Sequence, residues 1–162
     1  MNQDTLIAVA KAIVAKQKGV LAADESTPTI KKRFDAIHVE STEENRRRYR
    51  ELLLTSEGIE AYLGGVILFD ETLRQSTQDG TPFAELLSKR GILPGIKVDR
   101  GAKPLACYPG EKVTEGLDGL RDRLAEYKQL GAKFAKWRAV IAINESDIPA
   151  AFSIHANAHA LA

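Results

Sequence analysis

Four short apolar segments recur along the chain and restrict the folds that it can adopt. They read GVLAAD, GGVILFDE, PGIKVD and AKFAKWR, and they are separated by 46, 30 and 38 residues when counted from Val20, Val66, Ile96 and Phe134. Each interval has room for a helix and two turns, which is the spacing of βαβ units and hence of a parallel sheet. The pattern therefore predicts an α/β fold in which strands alternate with helices.

Helical patterns fill the intervals between these segments. Ser41 followed by Glu44 makes a capping box that predicts the start of a helix in TEENRRRYRELLLT. An N-terminal helix is predicted to stop at Gly19, and another helix is predicted before Gly131. A last helix, with Pro149 in its first turn, is predicted to run to the end of the chain.

Polar residues follow each predicted strand, where the active sites of parallel α/β proteins lie. They are Asp24, Glu25 and Ser26, then Asp70, Glu71 and Thr72, then Lys97 and Asp99, and finally Lys136 and Arg138. The first turn, ADESTPT, has two acids and no glycine, which disfavours a nucleotide bound on an open sheet. Eight average intervals give roughly 300 residues, as in a (β/α)8 barrel. Residues 1–162 are therefore interpreted as its first four βα units, the N-terminal portion of a single barrel domain without a separate second domain.

Composition excludes several classes of function. Twenty-three basic and twenty-two acidic residues leave a formal charge of +1, so no global field attracts nucleic acid or an anionic membrane. The single cysteine, Cys107, cannot support a disulfide framework, and no segment has the roughly 20 apolar residues of a membrane span. His155 and His159 share a helix face but have no evident third ligand, so no metal is predicted. A cytoplasmic protein is expected, without nucleic-acid or membrane partners.

The charged residues at the predicted strand ends suit a phosphorylated substrate. Lys136 and Arg138 are two residues apart, and in a strand they would point to the same side. Guanidinium and ammonium groups bind phosphate, a carboxylate transfers protons, and a lysine crowded by cations is a better nucleophile at neutral pH. Two plainer readings remain open at this point: Asp24 as a helix cap, and the two cations as surface charges on an edge strand.

Several longer motifs point to one family. KGVLAADEST, TEENRRRYRELLLT, GGVILFDETL, GIKVDRG, GLDGL and FAKWR occur in this order, and together they make the sequence closely resemble class I fructose-bisphosphate aldolase over nearly all of the chain. The resemblance implies a (β/α)8 TIM barrel, commonly assembled as a tetramer. It also implies a glycolytic lyase that needs no cofactor or metal and that reversibly cleaves fructose 1,6-bisphosphate to dihydroxyacetone phosphate and glyceraldehyde 3-phosphate.

The same resemblance implies roles for individual residues. Asp24 and Lys136 match catalytic positions. Six further residues match substrate-binding positions: Ser26, Thr29, Arg33, Arg46, Lys97 and Arg138. Where relatives often carry Gly and Ser, this chain has Pro28 and Thr29. Thr29 keeps the hydroxyl, whereas Pro28 removes a backbone donor and stiffens the loop.

In the family, the Schiff-base lysine lies on strand six and the main acid/base glutamate on strand five. Neither segment is among these 162 residues, and cleavage without the iminium would leave an unstabilised carbanion. The chain alone is therefore predicted to have little or no aldolase activity. The alternative is a non-catalytic half barrel, or interaction module, that binds sugar phosphate without cleaving it. Because its sheet edges would be open, the chain is expected to form a homo-oligomer or to join a complementary segment.

Overall fold

Helices and strands alternate along the chain. The structure is a computed structural model that describes residues 3–144 and 148–162. The helices are α1 (Gln3–Ile13), α2 (Thr27–Asp35), α3 (Glu43–Leu54), α4 (Asp70–Leu73), α5 (Phe83–Lys89), α6 (Leu120–Gln129) and α7 (Ala151–Leu161), with a 3-10 turn at Ile59–Ala61. The strands are β1 (Gly19–Ala23), β2 (Leu63–Leu68), β3 (Leu93–Lys97), β4 (Ala102–Pro104), β5 (Lys112–Thr114) and β6 (Phe134–Lys136).

The four predicted apolar segments form one sheet. Its strand order is β1-β2-β3-β6, and β2 pairs in parallel with β1 on one side and with β3 on the other. Consecutive strands are therefore neighbours, which is the arrangement that βαβ units produce. The prediction of an α/β fold with a parallel sheet is confirmed.

Apolar side chains of the sheet and of two helices form a common core. Val66 and Leu68 of β2 are fully buried, and Ile96 of β3 is almost so. Leu54 of α3 and Leu87 of α5 are also fully buried, and these helices pack against each other while α5 packs on β3. Burial of these side chains provides the hydrophobic stabilisation that holds the strand ends in place.

Three predicted helix boundaries are wrong. The helix α3 is capped by Thr42 rather than Ser41, since the Thr42 side chain accepts a hydrogen bond from the backbone N–H of Asn45 at 3.1 Å. The first helix ends at Ile13, and Gly19 instead opens β1. Pro149 precedes α7 rather than lying in its first turn, because the helix begins at Ala151. The errors at α3 and α7 are of one or two residues, the range within which helix ends are ambiguous, whereas α1 ends six residues before Gly19.

The N-terminal helix is present, but its apolar residues are not buried. No residue of α1 is buried, and Leu6 is exposed in it. The last turn of α1 approaches β2 closely at Gly64, where a Cβ would lie 2.5 Å from the carbonyl oxygen of Ile13. The longest helix of residues 3–144 and 148–162 has 12 residues, and within that part of the chain no helix could cross a membrane.

Two compact units divide the chain. One comprises Met1–Lys97 with Ala125–Ala135, and the other Val98–Leu124 with Lys136–Ala162. The second unit contains an antiparallel hairpin of β4 and β5 in an interval for which only a helix was predicted. The hairpin is fastened to α7 by Asn157, whose side-chain oxygen accepts from the Thr114 N–H at 3.2 Å and whose amide donates to the Lys112 carbonyl at 2.9 Å. The assignment of the chain to a single barrel domain stays a prediction.

Candidate active site

The carboxyl ends of β1, β2 and β3 meet at one edge of the sheet. The register pairs Ala23 with Leu68, and Leu68 with Ile96. The residues that follow, Asp24 and Lys97, therefore lie at the same level two strands apart, which corresponds to about 10 Å at the usual strand spacing. Asp24 is buried, with 8% of its surface exposed, and Lys97 is half-buried. The first unit thus brings a carboxylate and a cation to the same edge.

Two hydroxyl groups lie together at the start of α2. Ser26 is the N-cap residue of this helix, and its Oγ lies 3.1 Å from Oγ1 of Thr29. The Ser26 side chain makes no capping hydrogen bond, and the Ser26 carbonyl accepts the N–H groups of Thr29 and Ile30, both at 2.9 Å. Pro28 lies in the first turn, where a backbone N–H has no partner within the helix. It therefore leaves the helix intact but removes that donor.

Arg33 lies on the solvent side of the same region. Its Nη1 forms an ion pair with Oε1 of Glu25 at 2.6 Å and donates to the hydroxyl of Tyr49 at 3.1 Å. The Arg33 side chain is 57% exposed, whereas the Glu25 side chain is only 10% exposed. One side of the Arg33 guanidinium is therefore accessible to an anion from solvent, while the other side forms the ion pair with the buried Glu25 carboxylate.

Arg50 lies behind Glu25 and is not among the site residues predicted from the sequence. Only 2% of its surface is exposed. Its Nη2 donates to the carbonyl oxygen of Glu25 at 3.0 Å and lies 2.9 Å from Oε2 of the same residue. Burial lowers the pKa of Arg50, and the charge of Glu25 opposes that shift. One sequence signal could have found it: Arg50 is four residues before Leu54 and shares its buried helix face.

Arg46 is already engaged by a carboxylate. Its Nε donates to Oε1 of Glu71 at 2.7 Å and its Nη2 to Oε2 at 2.6 Å, while Nη1 donates to the Ser41 carbonyl at 2.6 Å. Hydrogen bonding to Glu71 raises the pKa of Arg46 further. A direct substrate contact by Arg46 therefore requires part of this arrangement to open, and its predicted role in substrate binding stays a prediction.

Lys136 and Arg138 belong to the second unit. Lys136 is the last residue of β6, and its carbonyl accepts a hydrogen bond from the Val98 N–H at 3.0 Å. The strand was predicted to continue through Arg138 but ends at Lys136, so strand alternation does not fix the direction of Arg138. The exposed Arg138 is instead tethered through its backbone, since its carbonyl accepts from Oγ1 of Thr114 at 2.8 Å.

Two further features bear on ligands. Within residues 3–144 and 148–162, no group of three or more His, Cys, Asp and Glu side chains is arranged to hold a metal ion. A cleft of about 550 Å³ is lined by Glu51, Thr77, Asp79 and neighbouring side chains. None of the predicted site residues lines this cleft.

The chain resembles known proteins in both sequence and structure. The family model of class-I fructose-bisphosphate aldolase matches residues 5–162. A Xanthomonas campestris protein named "Probable fructose-bisphosphate aldolase class 1" is 62% identical over 162 residues, which are 100% of this chain and 48% of the relative. The cytosolic fructose-bisphosphate aldolase 6 of Arabidopsis thaliana is 55% identical over 159 residues, 98% of this chain and 44% of the relative.

A solved structure agrees with these relatives. Fructose-bisphosphate aldolase from Plasmodium falciparum, crystallised with TRAP and a small-molecule inhibitor, superposes with a TM-score of 0.92 at 49% identity. The match covers 94% of this chain and 44% of that one, so the chain spans about half the length of the proteins it resembles. Its α/β fold corresponds to the first part of the fold of a TIM-barrel family. Given the family match over residues 5–162, the chain belongs to the class-I fructose-bisphosphate aldolase family.

Proposed function

We propose that the protein carrying this chain is a class I fructose-bisphosphate aldolase of glycolysis and gluconeogenesis. It reversibly cleaves fructose 1,6-bisphosphate to dihydroxyacetone phosphate and glyceraldehyde 3-phosphate through a Schiff base and without a metal. The observation that carries the proposal is the strand register, which puts the buried carboxylate of Asp24 at the level of Lys97 in a chain of this family. Acid/base chemistry and a cation for phosphate then meet at one edge of the sheet.

The site residues keep the roles that the resemblance implies. Asp24 transfers protons near the scissile bond, and its burial favours that role because a desolvated carboxylate interacts strongly with charge that develops beside it. Lys136 assists the chemistry and contacts the substrate. The phosphate and hydroxyl groups of the substrate are bound by side chains that donate hydrogen bonds or carry positive charge: Ser26, Thr29, Arg33, Arg46, Lys97 and Arg138.

The reaction also needs an electron sink. In the family, a lysine on strand six forms the iminium that withdraws electrons from the bond being broken. That lysine is not among these 162 residues, and we therefore expect the 162-residue chain by itself to bind sugar phosphate at most. A non-catalytic module that binds sugar phosphate is the second candidate, since the adjacent hydroxyls of Ser26 and Thr29 and the exposed guanidinium of Arg33 all belong to the first unit, without any contribution from that lysine.

Location and assembly follow from the same family. A cytoplasmic location is supported by the Arabidopsis relatives, two of which are named cytosolic. A homo-tetramer, with no nucleic-acid or membrane partner, is the proposed assembly, and its mass in native conditions tests it.

The test uses the protein at its natural length, expressed from its own gene. Its intact mass is measured, and it is then assayed for cleavage of fructose 1,6-bisphosphate, with borohydride trapping of the imine and peptide mapping of the adduct. Cleavage together with a trapped adduct supports the aldolase proposal. Saturable binding of the bisphosphate without cleavage or trapping overturns it and favours the sugar-phosphate-binding module.

A further inference from the structure

A buried arginine reaches from α3 to the turn that follows β1. The Nη2 of Arg50 is 3.0 Å from the carbonyl oxygen of Glu25 and 2.9 Å from its Oε2. The first contact is a hydrogen bond, while the second is an ion pair without hydrogen-bond alignment. One nitrogen therefore contacts both the backbone and the side chain of Glu25.

Each of these contacts fixes a different part of the predicted site. The Glu25 carbonyl belongs to the planar peptide unit that leads into Ser26, so its hydrogen bond to Arg50 sets the direction of that unit. On the other side, β1 pairing fixes Ala23, and Asp24 lies between the two restrained positions. The Glu25 carboxylate meanwhile presents its other oxygen to Arg33 at 2.6 Å.

Packing alone does not account for a guanidinium at this place. Nε and Nη1 of Arg50 are buried and have no hydrogen-bond partner among the described residues. An apolar side chain of similar size could fill the space without burying unsatisfied donors or a charge. An apolar side chain cannot supply the two polar contacts to Glu25, nor the position of the guanidinium over the Tyr49 ring at 5.2 Å from its centroid.

We propose that Arg50 is a positioning residue for the active site: it holds the Asp24–Ser26 turn and, through Glu25, the guanidinium of Arg33 in the arrangement that receives the sugar phosphate. This proposal rests on the proposed function. It extends the site to a buried residue that touches neither substrate nor reacting atoms.

The test compares steady-state kinetics of the natural-length protein with those of the single variants Arg50→Met, Arg50→Lys and Glu25→Gln and of the double variant Glu25→Gln/Arg50→Met. Arg48→Gln is the matched control, because Arg48 is an exposed arginine of the same helix. We expect Arg50→Met to lower kcat/KM by about 10- to 100-fold, as misplacement of reacting groups by an ångström does. Both constants should change, since Asp24 acts in kcat and Arg33 in KM. Arg50→Lys should recover part of the loss, and Arg48→Gln should remain within about twofold of the wild type.

The double variant separates positioning from charge balance. It removes the buried charges of both partners, so we expect its thermal midpoint to rise above that of Arg50→Met while kcat/KM stays low. Recovery of kcat/KM to the level of the single variant Glu25→Gln would overturn the proposal, as would wild-type kinetics in folded Arg50→Met. If Arg50→Met does not fold, the shorter polar variant Arg50→Gln takes its place in the same comparison, and wild-type constants in folded Arg50→Gln then overturn the proposal.

A readout independent of cleavage keeps the two proposals distinct. If the wild-type protein does not cleave fructose 1,6-bisphosphate, the proposed function fails. Hydrogen exchange at the amides of Thr29 and Ile30, which both donate to the Ser26 carbonyl at 2.9 Å, still tests whether Arg50 holds the Asp24–Ser26 turn. Faster exchange in the Arg50 variants, but not in Arg48→Gln, supports the role of Arg50 in holding the turn, and equal exchange in all variants overturns it.

Discussion

Arg46 and Glu71 form a two-point ion pair that ties α3 to the helical turn after β2. The two donor nitrogens lie 2.7 and 2.6 Å from the two carboxylate oxygens, and both side chains are largely buried. Since the pair joins two separate helical elements, its loss should lower the free energy of unfolding.

Substitution of either partner should separate the structural role of this pair from substrate binding. Arg46→Met leaves the Glu71 carboxylate partly buried without its two donors, and we expect a loss of about 1–3 kcal/mol in the free energy of unfolding. Because Arg46 is also a proposed substrate ligand, KM for fructose 1,6-bisphosphate should rise. Glu71→Gln should lower stability but keep KM within about twofold.

Urea denaturation and steady-state kinetics of the natural-length protein make the comparison. Glu44→Gln is a matched control, since Glu44 forms an exposed ion pair on the same helix, and such pairs contribute about 0–1 kcal/mol. If Arg46→Met leaves KM unchanged while it lowers stability, Arg46 is not a substrate ligand and serves the fold alone.

Asp24→Asn should stop catalysis without unfolding the protein. Asparagine has nearly the same shape but cannot accept a proton at neutral pH, and we expect kcat to fall by about 100- to 10,000-fold while KM changes little. Asp70→Asn, at the end of the neighbouring strand, is the control, because the Asp70 carboxylate pairs with Arg74 at 3.0 Å in an exposed position. A kcat within about threefold of the wild type in Asp24→Asn would exclude the proposed catalytic role.

The strand ends could be predicted from the sequence, whereas the contacts behind them could not. An apolar run that stops at a charged residue defines both a strand and its carboxyl end. For this reason Asp24 and Lys97 were expected at the same edge of the sheet. Arg50 carries conflicting signals: its charge indicates solvent, while its spacing from Leu54 indicates the core, and only tertiary packing decides. The Arg46–Glu71 pair joins residues 25 apart, a distance over which local pattern carries no information.

The hairpin of β4 and β5 was missed for a different reason. Each of its strands has three residues, and one of them ends at Pro104. Alternation over three residues is too short to distinguish from a loop, and proline lowers strand propensity further. The hairpin is defined by its contacts with α7, which lie some 40 residues away in the sequence.

Gly95 allows β6 to pack close to β3, and its replacement by alanine should destabilise this part of the sheet. A Cβ at Gly95 would lie under 3.0 Å from the ring of Phe134, so the ring has to move from its place on β6. We expect Gly95→Ala to lower the free energy of unfolding by about 1–3 kcal/mol, as overpacking does, and to lower kcat because β6 ends at Lys136. Urea denaturation and kinetics measure the two effects.

A control and a compensating change test the cause. Gly19→Ala, in β1, introduces a Cβ with nothing within 4 Å and should change stability by no more than about 0.5 kcal/mol. If the clash with the ring is the cause, Phe134→Leu should reduce the cost of Gly95→Ala, and the two substitutions should be clearly non-additive. Strict additivity would assign the effect of Gly95→Ala to the backbone instead.

Glu51 should make the stability of the first unit depend on pH in the acid range. Its Oε1 accepts the Gln78 N–H at 2.7 Å and its Oε2 pairs with Arg47 at 2.7 Å. These two interactions hold the pKa of the Glu51 carboxyl below its ordinary value. A carboxyl whose pKa is lower in the folded state contributes stability above the ordinary glutamate pKa of about 4.3, and that contribution is lost as the pH falls through the folded value.

Glu51→Gln removes the titrating group, so its stability should fall less than that of the wild type between about pH 5 and about pH 3. At pH 7 the variant should be the less stable of the two, because it lacks the charge-assisted hydrogen bonds. Urea midpoints of the wild type and Glu51→Gln, measured across this pH range, test the prediction. The control is Glu57→Gln, because Glu57 is an exposed glutamate beyond the end of α3. Its stability should depend on pH as that of the wild type does. Parallel curves for Glu51→Gln and the wild type would mean that Glu51 does not couple the Gln78 turn to α3 in solution.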